Sequence, residues 1–183
     1  AKIIPGESAL VMGCGPIGLV IALTALAGGC SKVFIADIVS KKLEMCKNYN
    51  NLIPIDLNKD NPAEIVKKNT NNWGANIIFE ASGATKAYDV IFDSICPAGK
   101  VVIVGNPMNS IPMDFATLLT KEIEIKTVFR YAHQYERAIN LLSSNKIDVK
   151  PMITDTVAFD DSIKAFERAA KNLPEDVKIQ IQL

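Results

Sequence analysis

The chain has 183 residues, 49% of them hydrophobic, with 20 basic and 20 acidic side chains and a formal net charge of zero. That apolar share can bury one sizeable core, while the neutral balance argues against an electrostatic claim on nucleic acid or acidic membranes. No apolar run approaches the roughly 20 residues that span a bilayer, and the opening Ala1-Lys2-Ile3-Ile4-Pro5-Gly6 lacks the build of a secretory leader.

Residues 9–12 are a continuous apolar run, as a strand covered on both faces should be. Residues 17–27 are almost wholly apolar and too long for a strand, so they read as a helix. A second strand is predicted over 33–37. A helix is predicted over 40–49, with Ser40 a candidate N-cap and Leu43, Cys46 and Tyr49 at helical spacing. Residues 53–55 read as a short third strand, weakened by Pro54, and 62–69 as a helix opened by Pro62. The stretches 75–80, 85–95 and 100–104 give strand, helix, strand; 115–121 is a short helical piece and 123–128 a further strand. Repeated strand–helix–strand units of this length predict an α/β fold, a doubly wound parallel sheet wrapped by helices.

After Tyr131 the texture changes. Residues 135–143 form an amphipathic pattern with Ala138, Ile139 and Leu142 on one face. The segments 149–153, 162–170 and 177–183 no longer extend the alternation. The expected division is a nucleotide-binding domain over 1–147 and a tail over 148–183. The first residue is not methionine, which suggests a chain that begins inside a longer protein.

Gly13-Cys14-Gly15-Pro16-Ile17-Gly18 matches G-x-G-x-x-G between the first strand and the long apolar helix. In that context Gly13 makes the tight turn, Gly15 lets the backbone approach a pyrophosphate, and Gly18 lets helix and sheet pack closely. The helix N-terminus offers free N–H groups and a partial positive charge to phosphates. Pro16 has no N–H but suits a first helical turn. Asp37 ends the second strand, 19 positions beyond Gly18, where an acid accepts hydrogen bonds from ribose hydroxyls and repels a 2′-phosphate. Standing alone, Asp37 would read as a solvated strand-end acid; with loop, strand and spacing together it reads as an NAD contact. Ser82-Gly83 and Gly105-Asn106 follow strands at their carboxyl ends, where open α/β sheets bind ligands, although both also fit ordinary turn chemistry.

The four cysteines, Cys14, Cys30, Cys46 and Cys96, include no C-x-x-C pair. Free thiols in a reducing cytoplasm are therefore expected. The one histidine, His133, has no second histidine or cysteine at ligand spacing, so no metal site is expected within the chain.

The run from Gly6 to Gly18, Gly-Glu-Ser-Ala-Leu-Val-Met-Gly-Cys-Gly-Pro-Ile-Gly, resembles the opening of the cofactor domain in medium-chain zinc alcohol dehydrogenases. Asp37 and Lys42, five positions apart, resemble the acidic and basic residues that flank the adenosine there. Val128-Phe129-Arg130-Tyr131, the following helix and Asp148-Val149-Lys150-Pro151 are similar to the sorbitol and xylitol dehydrogenase branch. The ending from Glu175 to Ile181 resembles the bacterial xylitol dehydrogenases in particular.

The resemblance implies that Gly15, Pro16 and Ile17 face the pyrophosphate, Asp37 the ribose and Lys42 the adenosine edge. It implies that the Phe129 backbone holds the nicotinamide amide, and that Arg130, with Tyr131 beside it, reaches a polyol. It implies a homodimer joined through the edge strand that opens on Ile123 and closes on Val128. The family's catalytic zinc, held by a cysteine, a histidine and a carboxylate, has no ligand set here, and no catalytic residue is assigned in this chain. The expectation is the NAD-binding half of a cytoplasmic zinc-type polyol dehydrogenase, inactive by itself, its tail packing on an absent catalytic domain. A non-catalytic nucleotide-binding module is the alternative. A short-chain-type reductase is disfavoured because no Tyr-x-x-x-Lys pair occurs.

Overall fold

Five successive buried residues, Ser-Ala-Leu-Val-Met, make β1 (Ser8–Met12) a strand that needs cover on both faces. A computed structural model describes residues 1–171 and 173–183 and supplies that cover. The chain continues through α1 (Pro16–Ala27), β2 (Lys32–Asp37), α2 (Ser40–Leu43), β3 (Leu52–Asp56), α3 (Pro62–Lys68) and β4 (Ala75–Glu80). It then passes through α4 (Tyr88–Ser94), β5 (Ile95–Ile103), α5 (Phe115–Thr120), β6 (Glu124–Thr127) and α6 (Tyr135–Ser143). The six strands form one parallel sheet in the order β3-β2-β1-β4-β5-β6. The order reverses between β1 and β4, and a crevice opens there at the carboxyl ends of the strands.

The two-residue alternation of a strand splits the core in two. Ala9, Val11, Val33, Ile35, Ile77 and Phe79 face α1, whose Leu19, Ala22 and Leu23 close over them. Leu10, Met12, Phe34, Ala36 and Ile78 face the other way, against Val66 of α3 and Ile91 of α4. The expected doubly wound α/β fold is what forms.

Several boundaries differ from the sequence reading. The α-helix expected over 40–49 stops at Leu43 and continues as 3-10 turns through Glu44–Asn48. Ser40 does not cap it: Val39 is the N-cap, and the Ser40 hydroxyl donates instead to Asp56 Oδ2 at 2.6 Å. Without a side-chain cap and only four residues long, that helix has little local support. The helix expected over 85–95 begins as a 3-10 turn, Thr85–Ala87, and gives way at Ile95 to a strand longer than expected. A register shift between Ala75 and Ile77 accommodates the extra residues. β3 is a full strand despite Pro54, because it lies at the sheet edge and pairs only with β2.

Beyond α6, β7 (Ile153–Ala158) and β8 (Lys178–Gln182) pair in parallel as a separate two-stranded sheet, linked through α7 (Ser162–Ala170). Arg168 of α7 binds Asp176 through Nε and Nη2 and Asp155 through Nη1, tying helix to strand. Ile147, Val149, Met152 and Val177 pack onto the α1 side of the main core, Met152 being buried. Among the described residues no helix is long and apolar enough to cross a membrane.

Candidate functional site

The crevice is built from turns that leave β1, β2, β4 and β5. After Met12 the chain turns sharply at Gly13, at φ +106°, where its N–H donates to Ala36 O at 2.7 Å. A Cβ at Gly13 would sit 3.2 Å from the Ala81 and Ser82 backbone, and one at Gly18 would run into Gly13 O. Both positions therefore exclude a side chain, so that loop, helix and neighbouring turn can touch. Gly15 differs: it is the N-cap of α1, no side chain caps the helix, and a Cβ there would meet nothing within 4 Å. Its face opens into a cleft of about 900 Å³. The first turn of α1 carries no acidic residue, so its unpaired N–H groups and positive dipole end stay available to an anion.

Asp37 is clamped from two sides. Its Oδ2 accepts the Cys14 N–H at 2.7 Å and its Oδ1 the Val39 N–H at 2.8 Å. The carboxylate thus fixes the glycine loop against the segment that follows β2. A carboxylate has about four acceptor positions, so roughly half remain for hydroxyl groups in the cleft.

Asp56, paired with Asp37 in register, organises the rim. The Ser40 hydroxyl, the Asn58 N–H and the Lys59 ammonium hold its carboxyl well below the usual carboxylate range. Asn58 Nδ2 also donates to Ile38 O at 2.6 Å.

Of the residues singled out by sequence, Gly13, Gly15, Asp37, Lys42 and Ser82 line this cleft together. Gly83 and Gly105 lie where the turns after β4 and β5 meet, and Asn106 is exposed beside them. Pro16 and Ile17 point instead toward an apolar cleft of about 700 Å³ that also reaches Val128, Leu142 and Met152. Phe129, Arg130 and Tyr131 are exposed beyond β6 and line neither cleft. The Arg130 guanidinium lies 4.9 Å from the Phe129 ring centroid, and Tyr131 meets Tyr135 edge-on at 5.5 Å.

Sequence reasoning passed over Asp56, Lys86 and Glu80. Lys86 lines the cleft from the turn before α4. Glu80 is fully buried at the end of β4. The available signal was a charged residue closing an otherwise apolar run, at Glu80 as at Asp37. All four cysteines are buried free thiols. Among the described residues no group of three or more His, Cys, Asp or Glu side chains is gathered to hold a metal ion.

A model of the zinc-binding dehydrogenase family matches residues 16–144. The chain is 43% identical over 173 residues to a D-xylulose reductase of Morganella morganii, covering 93% of this chain and 51% of that protein. It is 31% identical over 181 residues to a sorbitol dehydrogenase of Bacillus subtilis, covering 98% and 51%. Among solved structures, 2R,3R-butanediol dehydrogenase from Bacillus subtilis superposes with a TM-score of 0.91 at 22% identity, over 100% of this chain and 52% of that one. A short chain alcohol dehydrogenase from Escherichia coli CFT073, solved with NADH, superposes with a TM-score of 0.88 at 20% identity, over 100% and 54%. At those identities the two structures speak for the fold. The chain spans about half the length of the curated relatives it matches.

Proposed function

The chain belongs to the zinc-binding dehydrogenase family, and from that premise we propose that it is the NAD-binding half of a polyol dehydrogenase. The observation that carries this reading is the Gly15 face, open to the cleft at the N-terminus of α1, with Asp37 clamped at the far side of the same loop. A dinucleotide fits that arrangement. Its pyrophosphate would lie on the loop backbone where a Cβ at Gly15 would otherwise project. Its ribose hydroxyls would use the free acceptor positions of Asp37, and Lys42 would flank the adenosine. Ser82, Gly83, Gly105, Asn106 and the Phe129 backbone would meet the remainder.

Bound NAD supplies the hydride acceptor for oxidising a carbinol to a ketone. The residues here bind and orient it, and the Asp37 charge disfavours a 2′-phosphate. The D-xylulose reductase and sorbitol dehydrogenase relatives support a polyol and ketose pair as substrate and product, with Arg130 and Tyr131 as the polyol-facing side chains. Among the described residues no group of three or more His, Cys, Asp or Glu side chains gathers to hold a metal ion, and no step is assigned to zinc.

Calorimetry of the chain with NAD⁺ and NADP⁺ tests the reading. NAD⁺ is expected to bind more tightly, and Asp37→Ala to narrow the preference by about tenfold, ~1.4 kcal/mol. The same chain is expected to form no NADH from xylitol or sorbitol. Equal affinity for both nucleotides in the unmutated chain overturns the assignment of Asp37.

A further inference from the structure

We propose that Glu80 is a positioning residue: a buried carboxylate that staples together the two turns forming the β4–β5 side of the cofactor crevice. The inference rests on the nucleotide-binding reading and concerns a side chain that does not itself line the cleft. Glu80 closes β4 with no exposed surface. A carboxylate is strongly disfavoured in such a place unless donors converge on it.

They converge on one oxygen. Oε1 accepts the Ser82 N–H at 2.8 Å, the Ser82 hydroxyl at 2.5 Å and the Gly83 N–H at 3.0 Å. The backbone carbonyl of the same residue accepts the Val104 and Gly105 N–H groups, both at 2.8 Å. A single residue therefore holds the turn after β4 with its side chain and the turn after β5 with its main chain.

The two turns also touch directly above it. A Cβ at Gly105 would strike both Gly83 N and Glu80 Oε2, and a Cβ at Gly83, at φ +69°, would lie 3.0 Å from Asn106 O. No side chain can be placed between them. The assembly continues to the phosphate loop, because the Ala81 N–H donates to Met12 O at 2.9 Å and Gly13 packs against the Ala81 and Ser82 backbone. Displacing the Ser82–Gly83 turn would disturb both the wall of the crevice and the seat of Gly13.

Glu80 Oε2 is buried without a hydrogen-bond partner among the described residues. The acceptor work falls on Oε1 alone, so reach matters more than charge. A glutamine can place its amide oxygen where Oε1 stands. An aspartate keeps the charge but is one methylene too short to meet three donors fixed by the turn.

The test compares Glu80→Gln, Glu80→Asp and Glu80→Ala in this chain. NADH affinity is measured by fluorescence titration, and amide hydrogen exchange at Ser82 and Gly83 is measured without nucleotide. Glu80→Gln is expected to stay within about threefold of wild-type affinity, whereas Glu80→Asp and Glu80→Ala lose about tenfold or more. Exchange is expected to accelerate at Ser82 and Gly83 in the latter two. The proposal is overturned if Glu80→Asp binds and exchanges as wild type, or if Glu80→Gln loses as much as Glu80→Asp. Should the Asp and Ala variants fail to fold, Ser82→Ala removes one of the three donors with β4 intact; unchanged exchange at Gly83 would then overturn the staple. A wild-type chain that takes up no NADH defeats the nucleotide reading, while the exchange measurement still decides whether Glu80 holds the turn.

Discussion

Two helices in this chain each present an apolar surface and meet opposite fates. α1 is apolar around its whole circumference and buries Gly18, Leu19, Ala22, Leu23 and Ala25 against the sheet. α7 has a clean amphipathic face, yet only Ala165 is buried, while Ile163 and Phe166 remain 74% and 70% exposed. α6 behaves like α7, with Ile139 and Leu142 exposed and no buried residue. The parallel sheet supplies its own cover on both faces. The helices α6 and α7 carry faces suited to burial that the described residues leave largely uncovered. Stability should therefore be concentrated in the sheet, and the C-terminal helices should add little to it.

The largest expected effect tests that contrast directly. Phe34 is fully buried in the centre of β2, and Phe34→Ala is expected to cost about 3–5 kcal/mol in urea unfolding. Phe166→Ala should change stability by about 0.5 kcal/mol or less. Comparable losses at both sites would show that the apolar face of α7 is covered in solution.

A second, intermediate effect concerns the free edge of the sheet. β6 pairs with β5 alone. The Val128 N–H donates to Ile103 O at 2.9 Å, so the alternation of the strand turns the N–H of Ile125 outward, away from β5. We propose that this edge pairs with that of a second copy, antiparallel across a two-fold axis. Light scattering at tens of micromolar is expected to show a dimer, and Ile125→Pro a monomer with the β5–β6 ladder kept. A wild-type monomer under those conditions would rule the edge out.

The smallest effect lies at the crevice rim. Asp56 is held below its ordinary value of 3.8 by Ser40, then Asn58 and Lys59. A depressed carboxyl contributes stability that is present above the ordinary value and fades as pH falls below it. Asp56→Asn should melt slightly lower than wild type at neutral pH, and the two melting curves should converge in acid beneath about pH 4. A gap independent of pH would mean that the ionised form of Asp56 does not support the rim.

How far each feature could be read in advance follows from how local it is. The glycine loop, the apolar strand before it and the acid at the end of β2 lie within one strand–helix–strand unit, and their spacing carries the information. The continuous apolar runs of β1 and β2, the all-round apolarity of α1 and the amphipathic faces of α6 and α7 are likewise properties of short windows. The failures are non-local. Ser40, read as the cap of the helix expected over 40–49, turns its hydroxyl instead to Asp56, 16 residues on. Asp37 reads as a free ribose acceptor until the fold brings it to the Cys14 N–H, 23 residues back. The jump that lays β4 on the far side of β1 creates the crevice, and no window of sequence contains both strands. Glu80 looks like the polar end of a strand. Only the folded sheet, by bringing the turns after β4 and β5 into contact over it, makes it the buried centre of that wall, because hydrogen-bond partners are chosen by proximity in space rather than along the chain.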